Sequence, residues 1–82
     1  MFYESLITRG YHAEPTASVQ LSELTFKAYC DSDIQLFYHP ELKIYMLGDI
    51  KGHEIMQAGT TQEEASATIE EFFKEIIQDE DN

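Results

Sequence analysis

Hydrophobic and polar positions change rhythm twice along this chain. From Val19 the period is two: Leu24, Phe26, Ala28 and Cys30 alternate with Thr25, Lys27 and Tyr29, which predicts a half-buried strand. Asp31-Ser32-Asp33 reads as a turn, after which Ile34, Leu36 and Tyr38 alternate with Gln35 and Phe37. His39-Pro40-Glu41 predicts the next turn, because Pro40 lacks a ladder donor and its ring pre-sets φ. Ile44, Met46 and Ile50 mark a third strand, with Tyr45 and Leu47 on its other face. Gly52 interrupts it, and residues 53–58 return as a short fourth strand. Connections this short favour antiparallel neighbours, so a meander is expected.

After Gly59 the period becomes 3.6. Ala65, Ile69, Phe72, Phe73, Ile76 and Ile77 share one arc of a helix over residues 62–78. Thr61 suits the N-cap, Glu64 three residues later completes a capping box, and Gly59 allows a sharp entry. The expected fold is α+β, a three- to four-stranded antiparallel sheet with one long C-terminal helix packed on one face. Residues 1–18 support two readings. Phe2, Tyr3, Leu6 and Ile7 fall at helical spacing with Gly10 as a stop, and the same residues suit an edge strand. Residues 12–18, with Pro15 and little hydrophobicity, read as loop.

A chain of 82 residues has surface enough for one core, so residues 1–82 form a single domain. Five Phe and five Tyr are a folding composition, since disordered chains are poor in aromatics. So small a core gains from association, whether with a partner or as a homodimer. Charge narrows the partner's kind. Sixteen Asp and Glu against five Lys and Arg leave −11, the wrong sign for direct nucleic-acid binding or for an anionic membrane. A basic protein is the natural partner. One cysteine, Cys30, can form neither a disulfide within the chain nor a thiolate metal site. Met1-Phe2-Tyr3-Glu4 does not read as a signal peptide, and no apolar run approaches the ~18 residues of a membrane span, so a cytoplasmic location is expected.

Catalytic and metal motifs fail on their details. His53-Glu54-Ile55-Met56-Gln57 begins like the zinc-protease helix motif but has Gln57 where the second histidine belongs. His12, His39 and His53 have no regular spacing. Asp31, Asp33 and Asp49 come from adjacent predicted strands and suggest a two-metal carboxylate cluster, but Asp31 and Asp33 flank a turn that favours Asp for its own sake. Gly59-Thr60-Thr61 opens a helix, yet Glu63 and Glu64 would repel a phosphate there. No enzymatic activity, metal or cofactor is expected. The helix's outer face is what remains. Glu63, Glu64, Glu70, Glu71 and Glu75 fall opposite the apolar arc, and Asp79, Glu80 and Asp81 extend the charge. Residues 62–82 hold eight acids and the single base Lys74, so −7 of the −11 lies here. Glu70 and Lys74 are a favourable i,i+4 pair, Glu71 and Glu75 a repulsive one. These eight acids are the expected partner-binding surface, and Tyr29, Phe37 and Tyr45 on the sheet are the alternative.

The run from Tyr45 through Met46-Leu47-Gly48-Asp49-Ile50 to residue 76 resembles the HicB-like antitoxins. Asp49, Ile50 and Gly52 match the family's turn, and Gly59, Thr61, Glu63, Glu64 and Ala65 match its helix entry. The resemblance covers residues 34–78 and implies a partial ribonuclease-H-like sheet without catalysis that neutralises a small basic ribonuclease toxin. The sequence departs from the family at Lys51, where a proline is expected. These 82 residues also show neither the strand that follows the helix nor a DNA-binding tail, and the residues before Asp31 have no counterpart. The expected function is that of a small acidic inhibitor masking a basic, nucleic-acid-handling protein. It would be either an antitoxin or a mobile-element inhibitor of a host nuclease or CRISPR-type complex, acting partly as a nucleic-acid mimic. Want of a DNA-binding segment favours the second. A structural subunit or adaptor is the alternative.

Overall fold

The computed structural model describes Leu6 and residues 8–15, 18–49 and 53–80. Along them run β1 (His12–Ala13), α1 (Glu23–Asp31), β2 (Ile34–His39), β3 (Ile44–Asp49), β4 (Glu54–Gly59) and α2 (Gln62–Glu80). The strands make one antiparallel sheet in the order β1-β2-β3-β4, so the fold is α+β with a four-stranded meander and a long C-terminal helix.

The stretch read as the first strand is instead α1. Leu24, Phe26, Ala28 and Cys30 do alternate, but the side chains this segment buries are Thr25 and Tyr29, four residues apart on one helical face. Ser22 starts the helix: its extended backbone leaves the Oγ free to accept the Thr25 N–H at 3.3 Å. Ser32 ends it, donating its Oγ–H to the Tyr29 carbonyl at 2.8 Å and accepting from the Ile34 N–H at 3.2 Å. The turn at residues 31–33 therefore joins a helix to a strand. Leu24, Phe26 and Cys30 are exposed, not core. In place of that expected first strand the sheet gains β1 from the stretch expected to be loop, where His12 and Ala13 pair with Tyr38 and Phe37. The short strand expected at residues 53–58 is β4. Of the proposed N-terminal element, Phe2, Tyr3 and Ile7 lie outside the described residues. Leu6 is buried, and its carbonyl accepts the N–H groups of Arg9 and Tyr11 at 3.2 and 2.9 Å.

Leu36 pairs with Leu47 and Phe37 with Met46, so both faces of the central strands are apolar and both are covered. On one face Leu36, Tyr45, Leu47 and Ala58 pack with Tyr29, Ala65, Ile69 and Phe73. On the other, Phe37 and Met46 pack with Leu6 and Tyr11. Tyr29, Phe37 and Tyr45 are thus core residues, which removes them as contact candidates on the sheet.

The β2–β3 hairpin closes over residues 40–43, with the Lys43 N–H on the His39 carbonyl at 2.7 Å and Lys43 at φ +56°. The β3–β4 connection is held by Asp49, whose Oδ1 accepts the His53 N–H at 3.0 Å and whose Oδ2 lies 3.1 Å from His53 Nδ1. Gly48 sits under this turn, where a Cβ would lie 2.3 Å from the His53 carbonyl oxygen.

Candidate functional site

Helix α2 begins as its capping residues dictate. Thr61 Oγ1 accepts the Glu64 N–H at 3.1 Å, and the Thr61 carbonyl accepts the Ala65 N–H at 2.9 Å. The return arm of the capping box lands one residue early: Glu64 accepts the Thr60 hydroxyl at 3.2 Å instead of bonding Thr61. Gly59, at φ +135°, makes room for this, since a Cβ there would stand 2.5 Å from Glu64 Cβ. Glu64 is exposed, yet it is committed to the helix start.

The apolar arc is narrower than its periodicity suggests. Ala65, Ile69 and Phe73 are fully buried, Phe72 and Ile77 are half-buried, and Ile76 is 41% exposed. Direction accounts for Ile76, because Ile77, one residue further along and about 100° round the helix, still packs against the core.

The acids divide into three groups. Glu70 is not on the outer face. Its carboxylate turns to the start of α1, accepting the Ser22 hydroxyl at 3.1 Å and facing the Ser22 N–H at 3.4 Å. It also takes the Thr25 hydroxyl, and that bond above all, aided by Ser22 against the desolvation, holds its pKa below the ordinary glutamate value. Negative charge at a helix N-terminus is favourable, so Glu70 acts as a cap donated from one helix to another. Glu63, Glu71 and Glu75 are exposed, as is Lys74. Asp79 and Glu80 belong to the last turn of α2, their side chains outside the described atoms, and Asp81 lies outside the described residues.

Glu71 and Glu75 stand over a groove of about 330 Å³ between α2 and the outer strand β4, lined also by Met56, Ala67, Thr68 and Phe72. Thr68 fastens the helix to the strand at one end by donating to the Ala58 carbonyl at 2.8 Å. A second, apolar groove lies between the helices, where Leu24 and Ile77 flank Thr25, Glu70 and Lys74. Periodicity missed both grooves because half-buried positions at a helix margin carry no period of their own. The adjacent pair Phe72-Phe73 was the available signal, since neighbours about 100° apart on a helix cannot both sit at the centre of its buried face, and Phe72 falls at the margin of the core.

Asp49 is bonded to His53, Asp31 and Asp33 are exposed, and among the described residues no group of three or more His, Cys, Asp or Glu is placed to hold a metal. Among the described residues no helix is long and apolar enough to cross a membrane. No family model, curated protein or solved structure matches this chain.

Proposed function

We propose that this domain is a non-catalytic binding protein whose outward acidic side covers a basic surface on a protein that handles nucleic acid. The observation that carries the reading is that Glu63, Glu71 and Glu75 are exposed on α2 while Lys74 is the helix's one base. Helix stability alone favours mixed signs, and at the C-terminal end of the dipole it favours cations. Here the last turn carries acids and no base. Such a surface attracts lysine- and arginine-rich partners over about a Debye length and presents to them the charge that a phosphate backbone would. A nucleic-acid-handling protein so covered is inhibited by competition for its own site.

The likeness of residues 34–78 to HicB-like antitoxins supports inhibition by masking. That proposal covers an inhibitor encoded by a mobile element and an antitoxin alike. An adaptor role is the second reading, favoured by Leu24 and Phe26, which stand 61% and 46% exposed on α1.

Recovery of the tagged protein from its native host, washed at low salt and again at about 1 M, tests the proposal. The expected result is a basic nucleic-acid-binding protein that is retained at low salt, released at high salt, and unable to bind nucleic acid while complexed. A salt-insensitive acidic partner, or a partner still fully active in the complex, would overturn it.

A further inference from the structure

We propose that the groove between α2 and β4 is where the basic partner docks. It would take one apolar side chain between Phe72 and Met56, while lysines or arginines flanking that side chain meet Glu71 and Glu75. The inference rests on the proposed function and assigns it a place. Among the described residues lining this groove the titratable groups are Glu71 and Glu75, both exposed, and no cation lines it. The groove between the helices lacks that character, because its carboxylate, Glu70, is bound to Ser22 and Lys74 supplies the opposite sign. An apolar floor under a rim of one sign selects a segment that is itself apolar and oppositely charged.

A second copy is the wrong occupant. Each chain carries −11, and pairing two such grooves would bring the Glu71 and Glu75 rows together. Addition of a strand to the edge of β4 is also disfavoured. The β3–β4 ladder slips register between Tyr45 and Met46 and again between Leu47 and Gly48, so a new strand would find no even row of partners. Contact through side chains remains.

Two synthetic probes separate the groove from general acidity: a short peptide alternating leucine with lysine, and an oligolysine of equal charge. The leucine–lysine peptide is expected to bind the full chain at low salt and to shift the methyl resonances of Met56, Ala67 and Thr68, which line the groove. Ala67 is exposed and touches the groove, so Ala67→Phe fills it without disturbing the core. That variant should weaken the leucine–lysine peptide by about tenfold or more, the worth of one buried apolar side chain, and leave oligolysine unchanged. If both peptides bind alike and Ala67→Phe alters neither, the groove is not the dock, while the acidic-surface reading stands. If neither binds, both readings fall. If the free protein self-associates and Ala67→Phe abolishes it, the occupant is a second copy and the proposal is overturned.

Discussion

The phenolic oxygen of Tyr29 accepts the backbone N–H of Leu36 at 2.6 Å, so helix α1 supplies a partner that strand β1 is too short to provide. Beyond Ala13 no strand among the described residues lies beside the edge of β2, although the Glu14 N–H still reaches the Leu36 carbonyl at 2.9 Å. The Tyr29 ring packs edge-on against Phe73, with centroids 6.0 Å apart. One side chain thus joins the two helices and the sheet. Tyr29→Phe keeps the ring and removes the acceptor, leaving a buried N–H unpaired at a cost of about 1–3 kcal/mol. Urea unfolding should show that loss, with faster hydrogen exchange at the Leu36 amide. Unchanged stability and exchange would mean that the bond contributes nothing.

Phe73 and Phe72 are neighbours with unequal roles. Phe73 is 1% exposed at the centre of the helix–sheet core, whereas Phe72 is half-buried at the groove. Phe73→Ala should lose about 3–5 kcal/mol, a large part of the stability of a domain this size. Phe72→Ala should lose clearly less and remain folded by circular dichroism. Equal losses would contradict the orientation of α2.

What the sequence made legible follows from where each signal originates. The two hairpins and α2 were readable because alternation, Pro40, Gly59 and the Thr61 cap are local features. Helix α1 was not, because its residues alternate by coincidence and Thr25, Phe26 and Tyr29 all suit strands. Its helical state rests on the spacing of Thr25 and Tyr29 and on contacts from Glu70 and Leu36, distant in the chain. Strand β1 was invisible for a similar reason: two exposed residues pair only because β2 is there. Of the acidic ridge, the exposed positions were read correctly for Glu63, Glu64, Glu71 and Glu75. Glu70 was misplaced because a helical wheel cannot show that a second helix packs beside it.

Glu70 should leave a pH signature. Its folded pKa is lowered, chiefly by the Thr25 hydroxyl, so it contributes stability above the ordinary glutamate range near about 4.3 and loses it as pH falls through its own folded value. Glu70→Gln should therefore be less stable than wild type at neutral pH, and the difference should shrink as the solution is acidified below that range. Thermal melts of both proteins across pH check this. A gap that stays constant with pH would mean the carboxylate's charge is not what Ser22 and Thr25 recognise.

His39 is buried with both ring nitrogens occupied. Nδ1 accepts the Leu42 N–H at 3.1 Å, which leaves Nε2 to donate to the Arg9 carbonyl, also at 3.1 Å. These two bonds fit a ring with Nδ1 as acceptor and the proton on Nε2, an arrangement that nitrogen chemical shifts report directly. Gly10, at φ +97°, lies against it, and a Cβ there would stand 2.8 Å from Nε2. Gly10→Ala meets both backbone strain and that contact, and should cost on the order of 1–3 kcal/mol. A proton found on Nδ1, or a neutral effect of Gly10→Ala, would refute this account of the turn.

The acidic side should cost the fold something. Glu71 and Glu75 are four residues apart, both exposed, and like charges at that spacing destabilise a helix by a few tenths of a kcal/mol. Glu63 adds to the same field without a hydrogen-bonding role among the interactions described for α2, whereas Glu64 and Glu70 each accept bonds that hold helix starts. Replacing Glu63, Glu71 and Glu75 by Gln should leave the fold intact and raise the melting temperature slightly at low salt. The gain should vanish toward 1 M salt, where the Debye length falls from about 10 Å at 0.1 M to about 3 Å. Replacing Glu64 and Glu70 by Gln should instead lower stability. Opposite signs for the two sets would establish that α2 carries structural acids and unpaired acids side by side. Destabilisation by the first set would show that its charges serve the fold, and would remove the ground for reading them as a surface kept for a basic partner.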